Sequence, residues 1–149
     1  MSKQFPQSTA RIAMHPIHPM LVPFPIVCFV GTLLTDIAYV KSANVMWLDF
    51  SDWLVSAGVV MGWLAGIAGL VDFIGSRRIR ATGPAWWHAV GNVVALVLAT
   101  LNMFVHTHDG WTAVMPWGLT LSALVVVILL FTGWMGWSMV YRHRVGVMP

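Results

Sequence analysis

WWHAVGNVVALVLATLNMFV, residues 86–105, runs for twenty positions without a charged side chain. That is the length a helix needs to cross the hydrocarbon core of a bilayer, about 20 mostly apolar residues. At about 100° per residue, His88, Gly91, Asn92, Ala95, Ala99 and Asn102, with His106 just beyond, share one arc of roughly 100°. The rest of the stretch is mainly Val, Leu, Met and Phe. A helix so divided turns a narrow polar and small face inward and offers lipid everything else.

Three more stretches of this kind occur, at about 20–40, 53–74 and 117–141. Of the 149 residues, 58% are hydrophobic and only 9% charged, whereas about a quarter are charged in soluble domains. The connections, about 41–52, 75–85 and 106–116, are short, so consecutive helices must be antiparallel neighbours. The expected fold is an all-α integral membrane protein: an antiparallel up-down four-helix transmembrane bundle, one domain over residues 1–149. Cys28 is the single cysteine. It offers no disulfide partner within the chain and no Cys-x-x-Cys pair.

Orientation follows from the basic residues, which accumulate on the cytoplasmic side. Lys3, Arg11, Arg77, Arg78, Arg80, Arg142 and Arg144 fall at one end of the bundle and Lys41 at the other. Both termini are therefore expected in the cytoplasm, in a multi-pass bacterial inner (plasma) membrane protein. These charges flank apolar spans and form no basic stripe, so nucleic acid is set aside. Trp47, Trp53, Trp111 and Trp117 fall at the outer boundary, and Trp86, Trp87 and Trp137 at the inner, as in aromatic belts. No cleaved signal peptide is expected, since the first apolar run lacks a small-x-small site.

In span two, Gly58, Gly62, Gly66, Gly69 and Asp72 share a sector of roughly 120°, a close-packing ridge. Asp72 is expected to face the bundle, or else to sit at a helix end with Arg77 or Arg78; an acidic group within a span is by default a functional candidate. Span four shows Gly118, Ser122, Gly133 and Gly136 on one face and reads as packing. Span one is preceded by His15-Pro16-Ile17-His18-Pro19, followed by Pro23 and Pro25. Residues before proline avoid helical angles, so this approach should be extended or turn-like, the regular helix starting near Pro23 or Pro25. Asp36 is expected to pair with His106, His108 or Lys41. His106 and His108 read as a solvated loop end, on the order of 27 Å along the axis from His88. His143, between two arginines, reads as an interfacial anchor.

Taken together, His15-Pro16-Ile17-His18-Pro19 with Phe24-Pro25, Asp36, Gly69-Leu70-Val71-Asp72, His88 with Asn92, and Tyr141-Arg142-His143-Arg144-Val145-Gly146-Val147 make the sequence resemble the bacterial membrane family of domain of unknown function 2231. The resemblance covers about Met14 to Val147 and implies the fold and a candidate site, but supplies no reaction. Some relatives are joined to a Rieske-type iron–sulfur domain, which implies redox work in the membrane. This chain has neither that domain nor its cysteines, so a separate redox partner is implied.

Three classes of function stay open. His15, His18, Asp72 and His88 fall at similar depth on three helices, and neutral imidazoles ligate haem iron, zinc, copper or non-haem iron. In the first class the chain is an electron-transfer subunit holding haem b between His18 and His88, with Asn92 beside them, or handling quinone. The second is a mononuclear transition-metal binding or transport protein with His15, His18, Asp72 and His88 as ligands. The third is a structural subunit or anchor without cofactor. Catalysis by this chain alone is not expected, since Ser56, Ser122 and Ser138 lie in apolar spans without a histidine at helical spacing. The expected partners are the lipid bilayer, a redox protein or quinone, and further copies of the chain.

Overall fold

The structure, a computed structural model, describes residues 5–108 and 113–146. A two-stranded hairpin, β1 (Arg11–Ile12) and β2 (His15–Pro16), leads into α1 (Ile17–Leu21), α2 (Pro23–Ser42), α3 (Val45–Gly75), α4 (Arg77–Arg80) and α5 (Gly83–His106). A π-helical turn (Val114–Gly118) then opens α6 (Leu119–Tyr141). Four helical segments, 17–42, 45–75, 83–106 and 114–141, are long and apolar enough to cross a membrane. They pack as a ring in which α2 and α5 lie diagonally across from each other, each flanked by α3 and α6. An even number of crossings brings the two ends of the chain to one face. There Gly146 N–H donates to Pro6 O at 2.8 Å and the Arg144 guanidinium lies over the Phe5 ring. We call this the terminal end and the opposite face the loop end.

The helices outrun the spans read from hydropathy. The connection expected over about 41–52 shrinks to Ala43 and Asn44, because Ala43 takes a left-handed conformation and the Asn44 carboxamide accepts from Met46 N–H, starting α3. At 31 residues α3 is about 46 Å long, so its first turns stand beyond a hydrocarbon core of about 30 Å. Before Pro116, Met115 takes an extended conformation and breaks the start of the fourth span. Lys3, Trp111 and Val147, each given a place from the sequence, lie outside the described residues.

The hairpin turns through Ala13 and Met14, both at positive φ, the signature of a two-residue turn matched to strand twist. It fulfils the expectation of a turn-like approach for His15 and Pro16 only: Ile17–Leu21, with His18 and Pro19, is already helical as α1, and α2 starts at Pro23. Buried residues are mostly small or β-branched, and large apolar side chains such as Val27, Trp53 and Leu130 face outward, as a lipid solvent requires. The inward face read for span three holds: Ala95, Ala99, Asn102 and His106 are buried.

Candidate functional site

At the terminal end, His18 on α1 and His88 on α5 meet across the diagonal, their ring centroids 6.0 Å apart and the planes at 87°. His18 Nδ1 lies 2.8 Å from Ala65 O on α3, and His88 Nδ1 lies 2.8 Å from Thr132 O on α6. A carbonyl can only accept, so each Nδ1 carries a hydrogen and donates it. No hydrogen bond among the described residues engages either Nε2.

The two imidazoles are seated by the same device. Ala65 and Thr132 are each followed four residues later by a glycine, Gly69 and Gly136, and a Cβ there would stand 2.9 Å from an atom of the imidazole it faces. Only glycine leaves the ring room to reach the carbonyl one turn earlier. Asn92 completes the group: its Nδ2 donates to His88 O at 2.7 Å, and Thr132 Oγ1 lies 3.5 Å from its Oδ1. Between these residues lies a cavity of about 70 Å³, walled by Pro25, Phe29, Gly62, Gly66, Ala95 and Leu96 among others. Sequence reading found both histidines and Asn92 but missed the Ala65 and Thr132 carbonyls. The signal was present in the two glycines, which read only as packing.

His15 and Asp72 do not join them. His15 is exposed, and its Nδ1 faces Ala13 O at 2.8 Å, closing the hairpin turn. Asp72 is buried but turned to the N-terminal segment: Ser8 Oγ donates to its Oδ2 at 2.7 Å, and the amides of Thr9 and Ala10 donate to its Oδ1 at 2.6 and 2.7 Å. With this many donors converging, the carboxylate is a clasp for residues 8–10. Among the described residues no three His, Cys, Asp or Glu side chains gather as a metal would require. The four-ligand set His15, His18, Asp72 and His88 is therefore not assembled.

The loop end holds a second polar group. Asp36 on α2 and His106 at the end of α5 are both fully buried in their side chains and meet at 2.9 Å, Oδ1 to Nε2. Ser122 on α6 donates to Asp36 Oδ2 at 2.6 Å and accepts from Asn102 Nδ2 at 2.8 Å. His106 Nδ1 lies 3.0 Å from Asn102 O. This overturns the solvated reading of His106, which is only 1% exposed; His108, two residues on, is exposed. It also selects His106 among the partners open to Asp36. The reason is Gly118, where a Cβ would stand 2.8 Å from the His106 ring: the helix end is covered by the π-helical turn. Ser122 was read as packing, and its role as hydrogen-bond partner was missed.

Four apolar crossings with polar side chains confined to the bundle interior define a class, the small multi-pass helical membrane proteins. Within it the chain belongs to the family of predicted membrane proteins called DUF2231, whose profile matches residues 14–149. No match was found among curated proteins or among solved structures.

Proposed function

We propose that this chain is a small electron-transfer subunit of a bacterial inner membrane, with His18 and His88 as the axial ligands of a haem b. The observation that carries this reading is the pair itself: two imidazoles from diagonal helices, each with Nδ1 fixed on a backbone carbonyl and Nε2 left free at a shared cavity. Fixing Nδ1 this way orients a ligating imidazole and raises its basicity. The ring centroids stand 6.0 Å apart, so one group placed between them would be held by both side chains.

Donor number separates the alternatives. A bare zinc or copper ion asks for about four protein donors in a structural site and three in a catalytic one, whereas the described residues supply two imidazoles and the neutral Asn92 and Thr132. Haem brings four nitrogens of its own and needs two more. The space runs the other way, since 70 Å³ holds a few waters and ligand pockets usually enclose about 300–1,000 Å³. Haem binding therefore requires the cavity to widen against its glycine and alanine walls. Bound there, the haem would supply one-electron chemistry, while the bundle orients the ligands and excludes water.

The test is a visible spectrum and elemental analysis of protein purified gently from haem-sufficient cells. A sharp Soret band with a reduced α band is expected. A colourless protein with stoichiometric zinc, copper or iron would transfer the pair to the mononuclear reading; one with neither haem nor metal would leave the structural reading. Orientation is tested by reporter fusions, expected to report cytoplasm after Pro149 and the far side near Gly110.

A further inference from the structure

We infer that Asp36 and His106 form a proton-binding site at the loop end of the bundle, loaded with one proton from the adjoining water by way of Asp52. A hydrogen count leads to it. Asn102 O is a carbonyl and can only accept, so His106 Nδ1 donates. The Nε2 to Oδ1 contact of 2.9 Å then needs a second hydrogen. It sits on Nε2, making imidazolium and carboxylate, or on Asp36, making neutral imidazole and carboxylic acid. In both forms the pair holds one proton more than an ionised aspartate beside a neutral histidine. Loading is thus a balanced step: a hydronium gives its proton to the pair and leaves as water, and unloading reverses it.

The surroundings suit a site that exchanges. Titratable partners come from two of the packed elements: Asp36 from α2, and from α3 Asp52, which acts electrostatically on both Asp36 and His106 and is itself acted on by the exposed Asp49. The π-helical turn carries no titratable side chain, and α6 contributes only the Ser122 hydroxyl here. Tyr39 lies in the neighbouring apolar cluster with Leu48, Ala113 and Val114. Asp52 Oδ1 is buried without a hydrogen-bond partner among the described residues. An orphaned acceptor is where a proton or a water is expected to call. Beyond His106 the helix ends, and the next two residues, Thr107 and His108, are exposed. A buried ionisable pair within a span is costly, and where it occurs it marks proton relays.

The site stands apart from the histidine pair of the terminal end and does not depend on a cofactor. The test uses the full chain in lipid nanodiscs, with ring-labelled histidine followed by nitrogen NMR and by isotope-edited infrared difference spectroscopy. Wild type should show the extra proton at neutral pH, as a doubly protonated His106 ring or as a protonated Asp36 carboxyl. It should release one proton per chain as the pH is raised across the range in which the protein stays folded. Asp36→Asn should abolish that release, and Asp52→Asn should keep the proton but slow its exchange at least about tenfold. Should Asp36→Asn fail to fold, the wild-type infrared signature still reads the protonation state. A pair whose proton never leaves over that range, or a release identical in wild type and Asp36→Asn, would overturn the proposal. Unchanged exchange in Asp52→Asn would overturn the route.

Discussion

The two ends of the bundle join the same two spans, 17–42 and 83–106, across the same diagonal, yet they do so differently. At the loop end, Asp36, His106, Asn102 and Ser122 hydrogen-bond to one another, and only Asn102 Oδ1 is left without a partner among the described residues. At the terminal end, His18 and His88 bond outward to the flanking helices and leave a cavity between themselves. An apolar layer of Phe29, Val59, Ala99 and Val125 lies between the two. Mutually satisfied polar groups hold helices together; groups satisfied elsewhere keep one valence free for something else. The first end is therefore expected to carry stability and the second to carry a ligand.

The largest expected effect tests that contrast. Asp36→Ala leaves a buried imidazole and a buried hydroxyl without their partner, and losing one member of a buried pair costs about 3–5 kcal/mol. His88→Ala in ligand-free protein loses one hydrogen bond worth about 1 kcal/mol and enlarges a cavity already present. Denaturation of both variants in detergent measures the difference. Equal losses would erase the distinction between the ends.

The next effect lies on the span-two ridge. A Cβ at Gly62 would stand 2.5 Å from Leu96 Cδ2, and one at Gly58 would stand 2.7 Å from the Phe29 ring. Gly58→Leu and Gly62→Leu should each cost about 1–3 kcal/mol by overpacking. Val60, exposed on the same helix, is the lipid-facing control. A thermal shift of the same size in Val60→Leu would place the ridge outside the interior.

Asp72→Asn should act at the terminal end without touching the histidine pair. It weakens the clasp on residues 8–10 by about 1.5–3 kcal/mol, the range for a hydrogen bond to a charged group, and should raise proteolysis of the N-terminal segment while leaving any cofactor spectrum unchanged. A shifted spectrum would mean that Asp72 reaches the imidazoles. Smallest of all is Trp63→Phe, which removes the indole N–H bond to Thr100 Oγ1 at 3.1 Å. Interhelical hydrogen bonds in membranes average about 0.6 kcal/mol, and the denaturation midpoint should move accordingly.

The bundle was legible because lipid imposes a simple rule on each helix, and α5 shows it. His88, Asn92, Ala95, Ala99, Asn102 and His106 follow one helical stripe, and the structure turns all of them inward. What periodicity does not carry is where the chain ends fold back. Asp72 looked like an interior acid because nothing in its own helix reveals that Ser8, more than sixty residues earlier in the chain, would reach it. His106 looked solvated because its cover, the π-helical turn, is set by the conformation around Met115 and Pro116, not by a hydrophobic period. The roles of Ala65 and Thr132 rest on backbone oxygens, which every residue has; only Gly69 and Gly136 distinguish them.

Haem retention by point variants bears most directly on the division between the two ends. Wild type, His18→Ala, His88→Ala and the exposed His108→Ala would be purified side by side from haem-sufficient cells and their reduced spectra compared at equal protein concentration. Wild type and His108→Ala should retain a low-spin, six-coordinate haem, while each of the other two should lose it or hold it with one ligand missing. A wild-type protein without haem, or haem retained unchanged in both His18→Ala and His88→Ala, would contradict the assignment of the open end to ligand binding.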